Sequence, residues 1–482
     1  MIENRTFDEI AIGDTASLVR TLSKEDIELF AVMSGDVNPA HVDEAYAHSD
    51  MFHKIIAHGM WGDALISTLL GTKLPGPGAI YLGQTLSFKH PVALGDTITV
   101  SVTTAGKDST KHRITFACEC VNQQGEQVIT GTADVVAPTE RVRRPRTPLP
   151  DVFVHQHGAW YRHLIKLTAE LPPICTAVVH PVDRNALLGA VEAAREGLIV
   201  PILIGPKERI RAVAAAENLD LSPYTIVSTE HSHAAAAAAV GMASHREVQA
   251  IMKGSLHTDE LMHAVLAKDA GFTTGRRMSH IYAMEVPTYL RPLFITDAAL
   301  NIAPSLQDKH DIVQNAIDFA HVLGIKEPRV ALLSAVETVN PAIRSTVDAA
   351  ALCKMAERGQ IIGGIVDGPL AFDTAISVEA VRVKNVVSSV AGLADILVVP
   401  DLESGNMLAK QLDYLADTRA ADIVLGARVP IVLTSRADDP RAHTVSCALA
   451  LLLAHHTASV RSLSSSAVHE AAVAGEAVVA RN

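Results

Sequence analysis

The chain has little of what several protein classes require. Of its 482 residues only five are cysteines, at 118, 120, 175, 353 and 447. An odd count in ordinary apolar surroundings excludes a disulfide framework and predicts reduced thiols in a cytoplasmic protein. Cys118 and Cys120 share one face of a strand, but no second ligand pair follows, so no metal site is expected there. His231 and His233 likewise lack a third ligand at useful spacing. The longest apolar runs, such as Ala448 to Ala454, are far too short to span a bilayer. The first ten residues, MIENRTFDEI, have neither a basic start nor an apolar stretch, so no signal peptide is expected. Positive charge is also scarce: the net charge is −12, against a dedicated nucleic-acid or membrane-surface binder. No GxGxxG and no Walker A sequence occurs, which removes the dinucleotide and nucleoside-triphosphate fingerprints.

What is present is a long globular sequence. Apolar residues make up 48% and charged residues 20%, and the length calls for two or three domains. The most informative stretch is Ser34-Gly35-Asp36-Val37-Asn38-Pro39-Ala40-His41. It sets a carboxylate and an imidazole five positions apart among residues that build a rigid turn. That spacing is not a helical-face spacing, so the turn must bring the pair together for proton transfer. The competing reading is an Asx-turn capped by Asp36 with His41 opening a helix.

Downstream, Ala57-His58-Gly59 precedes apolar residues at 60, 61, 64, 65, 66, 69 and 70, which predicts a buried helix ending at Gly71. Gly59 falls at its N-terminus, where unpaired N–H groups can stabilise an oxyanion; the alternative is that Gly59 merely packs the helix on a sheet. Strands are predicted over 80–88, 97–104, 112–121 and 128–136, giving a sheet wrapped around one helix. With YLGQTLSFKHPVALGDT following AHGM, residues 8–137 resemble the MaoC-like, (R)-specific enoyl-CoA hydratase family of the α+β hotdog fold. The resemblance implies hydration of a trans-2-enoyl-CoA to an (R)-3-hydroxyacyl-CoA. It makes Asp36 and His41 the catalytic pair, Gly59 the oxyanion donor, and Ser67 and Asn38 substrate-side groups, with no metal and a homo-oligomer of two or more copies.

Residues 138–172 are expected to link two machines. Four prolines and four arginines between 137 and 150 cannot continue a sheet, and a short helix follows near Trp160. The arginines alternatively dock on an acidic surface or a CoA phosphate. From Ile174 onward short apolar strands alternate with helices, at 174–179, 199–204, 225–227, 330–333, 361–366, 396–399 and 431–433. This is the pattern of βαβ units in a mainly parallel α/β sheet, whose strand ends carry ligand-binding loops.

Those loops carry a second resemblance. Lys253-Gly254-Ser255, Arg277-Met278-Ser279-His280, Asp297 to Asn301, Asp367 to Asp373 and Ser435-Arg436-Ala437-Asp438 resemble the phosphate acetyl/butyryltransferase family over residues 173–457. The resemblance implies a two-subdomain, isocitrate-dehydrogenase-like fold that exchanges CoA for phosphate on an acyl group. Coenzyme A, acyl-CoA, phosphate and acyl phosphate are then substrates, and no cofactor is held permanently. Ser435 and Arg436 match the family's Ser-Arg pair, and Lys253, Arg277, Asp297 and Asp367 fall in the matching loops. An arginine suits phosphate because its planar fork bonds two oxygens. The family's general base falls at Ala442 here, which leaves Asp438 as the candidate, against a turn- or helix-capping role. For Lys253 a solvated side chain is the alternative to a phosphate ligand. A multi-domain, bifunctional enzyme is thus expected, or else an active hydratase whose second domain binds CoA or acyl phosphate and regulates. Residues 458–482 form a tail, helical or disordered.

Overall fold

The computed structural model describes residues 1–479 apart from 151, 153, 155–157, 268–269 and 436–437. The chain divides into two compact units, within residues 1–155 and 156–482.

In the first unit, β2 (Thr15–Thr21), β3 (Ile80–Phe88), β4 (Thr97–Asp108), β5 (Arg113–Val121) and β6 (Gln127–Val136) form an antiparallel sheet in the order β2-β4-β5-β6-β3. Alternation sets its inner face: Ile98, Val100 and Val102 on β4 and Ile114, Phe116, Cys118 and Cys120 on β5 are buried. The helix Gly59–Thr72 lies on that face through Trp61, Ile66, Leu69 and Leu70. This is the hotdog arrangement. Both cysteines of the Cys118–Cys120 pair point into this core as free thiols. Burial pushes them up, to about 11 and about 12.

The Pro/Arg segment departs from expectation. Arg143–Arg144 forms a short strand, β7, antiparallel to β1 (Ile2–Glu3). Pro138 and Pro145 flank it, so the ladder loses no donor. Arg141 pairs with Glu3 and Glu9, and Arg143 with Glu3, so half of the arginines are neutralised by the chain's own start.

The second unit is built on one eleven-stranded sheet. β8 (Ile174–Val179), β9 (Ile199–Gly205), β10 (Thr225–Ser228), β11 (Ala250–Lys253) and β18 (Ile431–Val432) make one parallel block, in the order β10-β9-β8-β11-β18. β13 (Leu293–Thr296), β14 (Arg329–Leu333), β15 (Ile365–Leu370) and β16 (Ile396–Val398) make another, in the order β13-β16-β14-β15. Between them run β12 (Ser279–Glu285) and β17 (Arg419–Leu425), antiparallel to each other and to their outer neighbours. The expectation of a mainly parallel sheet holds for the flanks and fails at the centre. The helix predicted near Trp160 is present as Ala159–Thr168 and buries Leu164 in this unit's core. The helix Pro440–Val479 buries Cys447 to Leu452 in the same core and continues into the tail. Among the described residues, no helix is long and apolar enough to cross a membrane.

One position tests the first sheet directly. A Cβ on Gly131 of β6 would sit 2.0 Å from the Thr85 carbonyl oxygen of β3, and a backbone atom cannot turn aside as a side chain can. Gly131→Ala is expected to destabilise this unit by about 1–3 kcal/mol. Chemical denaturation followed by near-ultraviolet circular dichroism would measure it; an unchanged midpoint would show that the β3–β6 ladder has slack.

Candidate active sites

In the first unit the site is assembled by caps. The helix Lys24–Ser34 ends at Gly35, whose left-handed φ of 74° lets its N–H bond to the Ala31 carbonyl at 2.8 Å. The chain then turns, and Asp36 Oδ1 accepts the Asn38 N–H at 3.1 Å. Asn38 caps the short helix Pro39–Val42 by accepting the Ala40 N–H at 3.1 Å. The Asx-turn is therefore real, and it is also what brings the pair together. His41 Nδ1 lies 2.9 Å from the Ile56 carbonyl, which can only accept, so Nδ1 carries the proton and Nε2 presents a lone pair.

His58 completes the group, and sequence reasoning passed over it although it sits inside the quoted AHGM block. It is 3% exposed, and its Nε2–H donates to the Asp36 carbonyl at 3.0 Å. Its ring stacks on Phe30 and lies 4.1 Å from the His41 ring, centroid to centroid. Asp36, His41 and His58 each bring one ligand-type atom within 4.8 Å of the others. His58 is also the N-cap residue of the helix Gly59–Thr72, so the histidine pair and the helix N-terminus form one construction.

A cleft of about 350 Å³ opens there, lined by His41, His58, Gly59, Trp61, Phe88 and Ile129 among others. Gly59 is not demanded by packing: a Cβ there would rest on the Phe88 ring at 3.4 Å. At Gly62, one turn on, a Cβ would press to 2.3 Å of Ile129, so that is the glycine that lets the helix approach the sheet. Asp36 is exposed beside the cleft; Ser67 is exposed on the helix and is not among the residues lining the cleft.

In the second unit the expected residues fall into separate groups. Arg277 Nε–H donates to Asn301 Oδ1 at 2.7 Å, and Asn301 Nδ2–H donates to Asp297 Oδ2 and to the Met278 carbonyl. Asp297 Oδ1 also accepts the N–H groups of Ala299 and Leu300, both at 3.0 Å. Asp297 is thus buried and internally bonded, and orients the exposed Arg277 through Asn301. Lys253, at the end of β11, is 3% exposed, which overturns the solvated alternative. Asp367 Oδ1 accepts the Gly368 N–H at 2.8 Å on β15.

Asp438 Oδ2 accepts the Ser435 N–H at 2.7 Å, and Asp438 N–H returns a bond to the Ser435 carbonyl. Arg436 lies outside the described residues. The capping role considered for Asp438 belongs to its neighbour: Asp439 Oδ1 accepts the Ala442 N–H at the start of the last helix. Asp438 instead borders a pocket of about 330 Å³ with Trp160, Tyr161, Tyr414, Arg419 and Arg441. Burial, with the charge of Asp422 behind it, pushes the Asp438 carboxyl up to about 6.

Arg277 and Asp438 are not brought together. Arg277 precedes Ser279, which pairs with Leu425, whereas Asp438 lines a cavity with Met284 and Ala420 at the other end of the β12–β17 ladder. Seven residues of strand span roughly 20 Å.

Residues 229–451 match the family described as phosphate acetyl/butaryl transferase, and residues 11–124 match the MaoC like domain. A phosphate acetyltransferase of Rickettsia felis is 60% identical over 286 residues, 59% of this chain and 82% of that protein. The chain belongs to the phosphate acetyl/butyryl transferase family. A MaoC-like domain precedes the family's part of the chain. A phosphate butyryltransferase of Clostridium acetobutylicum is 41% identical over 285 residues, 59% of this chain and 94% of that protein. The solved branched-chain phosphotransacylase of Enterococcus faecalis matches with a TM-score of 0.52 at 30% identity, over 58% of this chain and 99% of that one.

The raised Asp438 carboxyl carries a stability consequence. An unfolded aspartate titrates at about 3.9, so between about pH 4 and pH 6 the folded state holds the extra proton. This contribution is present in full below the unfolded value and is lost as pH rises through the folded one, about 3 kcal/mol in all. Asp438→Asn, which keeps an acceptor for the Ser435 N–H, should therefore raise the melting temperature of this unit near pH 7.5 and leave it unchanged near pH 4. Equal melting temperatures at both pH values would rule the burial argument out.

Proposed function

We propose that the chain carries two acyl-CoA activities, hydration of trans-2-enoyl-CoA in the first unit and exchange of CoA for phosphate on an acyl group in the second. The observation that carries the first is the fixed tautomer of His41, with Nδ1–H committed to Ile56 and the Nε2 lone pair beside a carboxylate. Asp36 and His41 hold a water; its oxygen bonds to Cβ, and the proton it gives up passes to this pair. Electron density moves through Cα to the thioester oxygen, where the Gly59 N–H at the helix N-terminus stabilises the enolate. Protonation at Cα completes the (R)-3-hydroxyacyl-CoA. His58 holds the turn by its bond to the Asp36 carbonyl. Asn38 acts through its cap, and Ser67 contributes from the exposed side of the helix.

In the second unit, Asp438 takes the proton of the CoA thiol. The thiolate then attacks the carbonyl carbon of an acyl phosphate, the carbon–oxygen bond breaks, and phosphate leaves. A carboxylate lifted toward neutrality is a better acceptor for that proton than an ordinary one. Ser435 and Arg436 serve the acyl and phosphate groups, with Lys253, Arg277, Asp297 and Asp367 on the substrate side; the mixed sheet is read as the two-subdomain, isocitrate-dehydrogenase-like arrangement. The 60% identity to a phosphate acetyltransferase supports catalysis. The separation of Arg277 from Asp438 along the ladder favours a second reading, a CoA- or acyl-phosphate-binding regulatory domain. Phosphate-dependent release of CoA from acetyl- and butyryl-CoA separates the two: binding without release at either chain length leaves only the regulatory domain.

Asp36→Ala is expected to lower crotonyl-CoA hydration by about 10²–10⁴-fold while leaving phosphate-dependent transfer at the parent rate. Hydration that survives the change would end the assignment. A homo-oligomer is also inferred, because β3 is an edge strand with Ile80, Leu82 and Phe88 exposed. Light scattering should give at least a dimer; a monomer at micromolar concentration would count against it.

A further inference from the structure

The Ser435–Asp438 turn rests on a buried polar cluster that the transfer chemistry does not use. Asp422 on β17 is 3% exposed and accepts from His280 Nε2–H at 3.3 Å. Its backbone N–H is bonded to Ser446, yet its Oδ1 has no hydrogen-bond partner among the described residues. His280 on β12 is 1% exposed and edge-on to Tyr282, and its Nδ1 also has no partner among the described residues. A buried polar atom without a partner is costly, so a fold that leaves one on each of two bonded side chains calls for a reason. Asp422 and Asp438 line the same small cavity, together with Tyr282 and Met284 of β12 and Lys410 and Asp413 of the helix Leu402–Leu415. Its volume is about 10 Å³, room for about one water.

We propose that Asp422 is a positioning residue for the transfer reaction, tuning Asp438 from behind, across a one-water cavity, for taking the thiol proton. This rests on Asp438 being the proton acceptor. A fixed carboxylate behind the cavity disfavours a second negative charge on the carboxylate in front of it. His280 holds Asp422 in place by its hydrogen bond, so the rear carboxylate keeps its position whatever the front one does. After burial, the charge of Asp422 is the next largest influence holding the Asp438 carboxyl high; the Ser435 N–H and Lys410 pull the other way, and Asp413 adds to the lift. On the open side Asp438 shares its pocket with Arg419 and Arg441, and with Asp413, Asp439 and Glu285 as the other acids lining it.

Asp422→Asn removes the rear charge and keeps both shape and an acceptor for His280. The acid limb of kcat/KM against pH for phosphate-dependent acyl transfer should then move down by roughly half to one pH unit. The plateau rate should fall less than about 10-fold, since the front carboxylate becomes a weaker base, with KM for CoA unchanged. Asp438→Asn should lose about 100-fold or more at every pH. Full activity in Asp438→Asn would overturn the proton-acceptor assignment itself. An inactive Asp438→Asn together with an unmoved acid limb in Asp422→Asn would overturn the role of Asp422 alone. Should Asp422→Asn fail to fold, carboxyl-carbon NMR of the unmodified protein decides. A two-step, mutually dependent titration of the two aspartates supports the coupling, and independent single steps overturn it.

Discussion

The β12–β17 antiparallel ladder is the interaction on which the larger unit depends. It joins two parallel blocks that run in opposite senses, so that the strand ends of one block open on the opposite edge of the sheet from those of the other. It also carries His280, Tyr282 and Asp422 into the sheet as a polar seam. The seam meets the Ser435–Asp438 turn at one end and Arg277 at the other. A chemistry that needs both ends has to span or bend this ladder, and a chemistry that needs one end has the other free for recognition.

Some flanking strands were legible because they read as short aliphatic runs: 174–179 and 199–204 differ by no more than one residue from β8 and β9, whereas β11 and β13 were missed and the run 361–366 lies four residues ahead of β15. β12 was not legible, because Ser279-His280-Ile281-Tyr282-Ala283-Met284-Glu285 mixes polar groups into a buried strand, and only the neighbouring strands supply the partners that make this tolerable. β7 was hidden for the opposite reason: its prolines flank two arginines whose pairing partner lies at the far end of the unit's sequence. Non-local pairing leaves no periodic mark.

The first unit's candidate site was legible in its Asp36–His41 pair and not in its support. Asp36 and His41 stand out because a carboxylate and an imidazole share a rigid turn. His58 does not, because its contribution is a hydrogen bond to a backbone carbonyl and a stacked ring, neither of which has a sequence spacing. The Asx-turn and the Asp36–His41–His58 grouping share Asp36. Asn38 joins the two: its N–H bonds to Asp36, and its side chain caps the helix bearing His41.

The buried thiols have a use that concerns neither reaction. Cys118 and Cys120 lie in the core of one unit and Cys447 in the core of the other, and burial holds all three well above the ordinary thiol range. A thiol in that state is not nucleophilic until the surrounding core opens. Each unit therefore contains its own clock: the rate at which an alkylating reagent reaches Cys118 and Cys120, or Cys447, reads the opening of that unit alone. Two domains with different chemistries can in this way be followed separately within one unmodified chain.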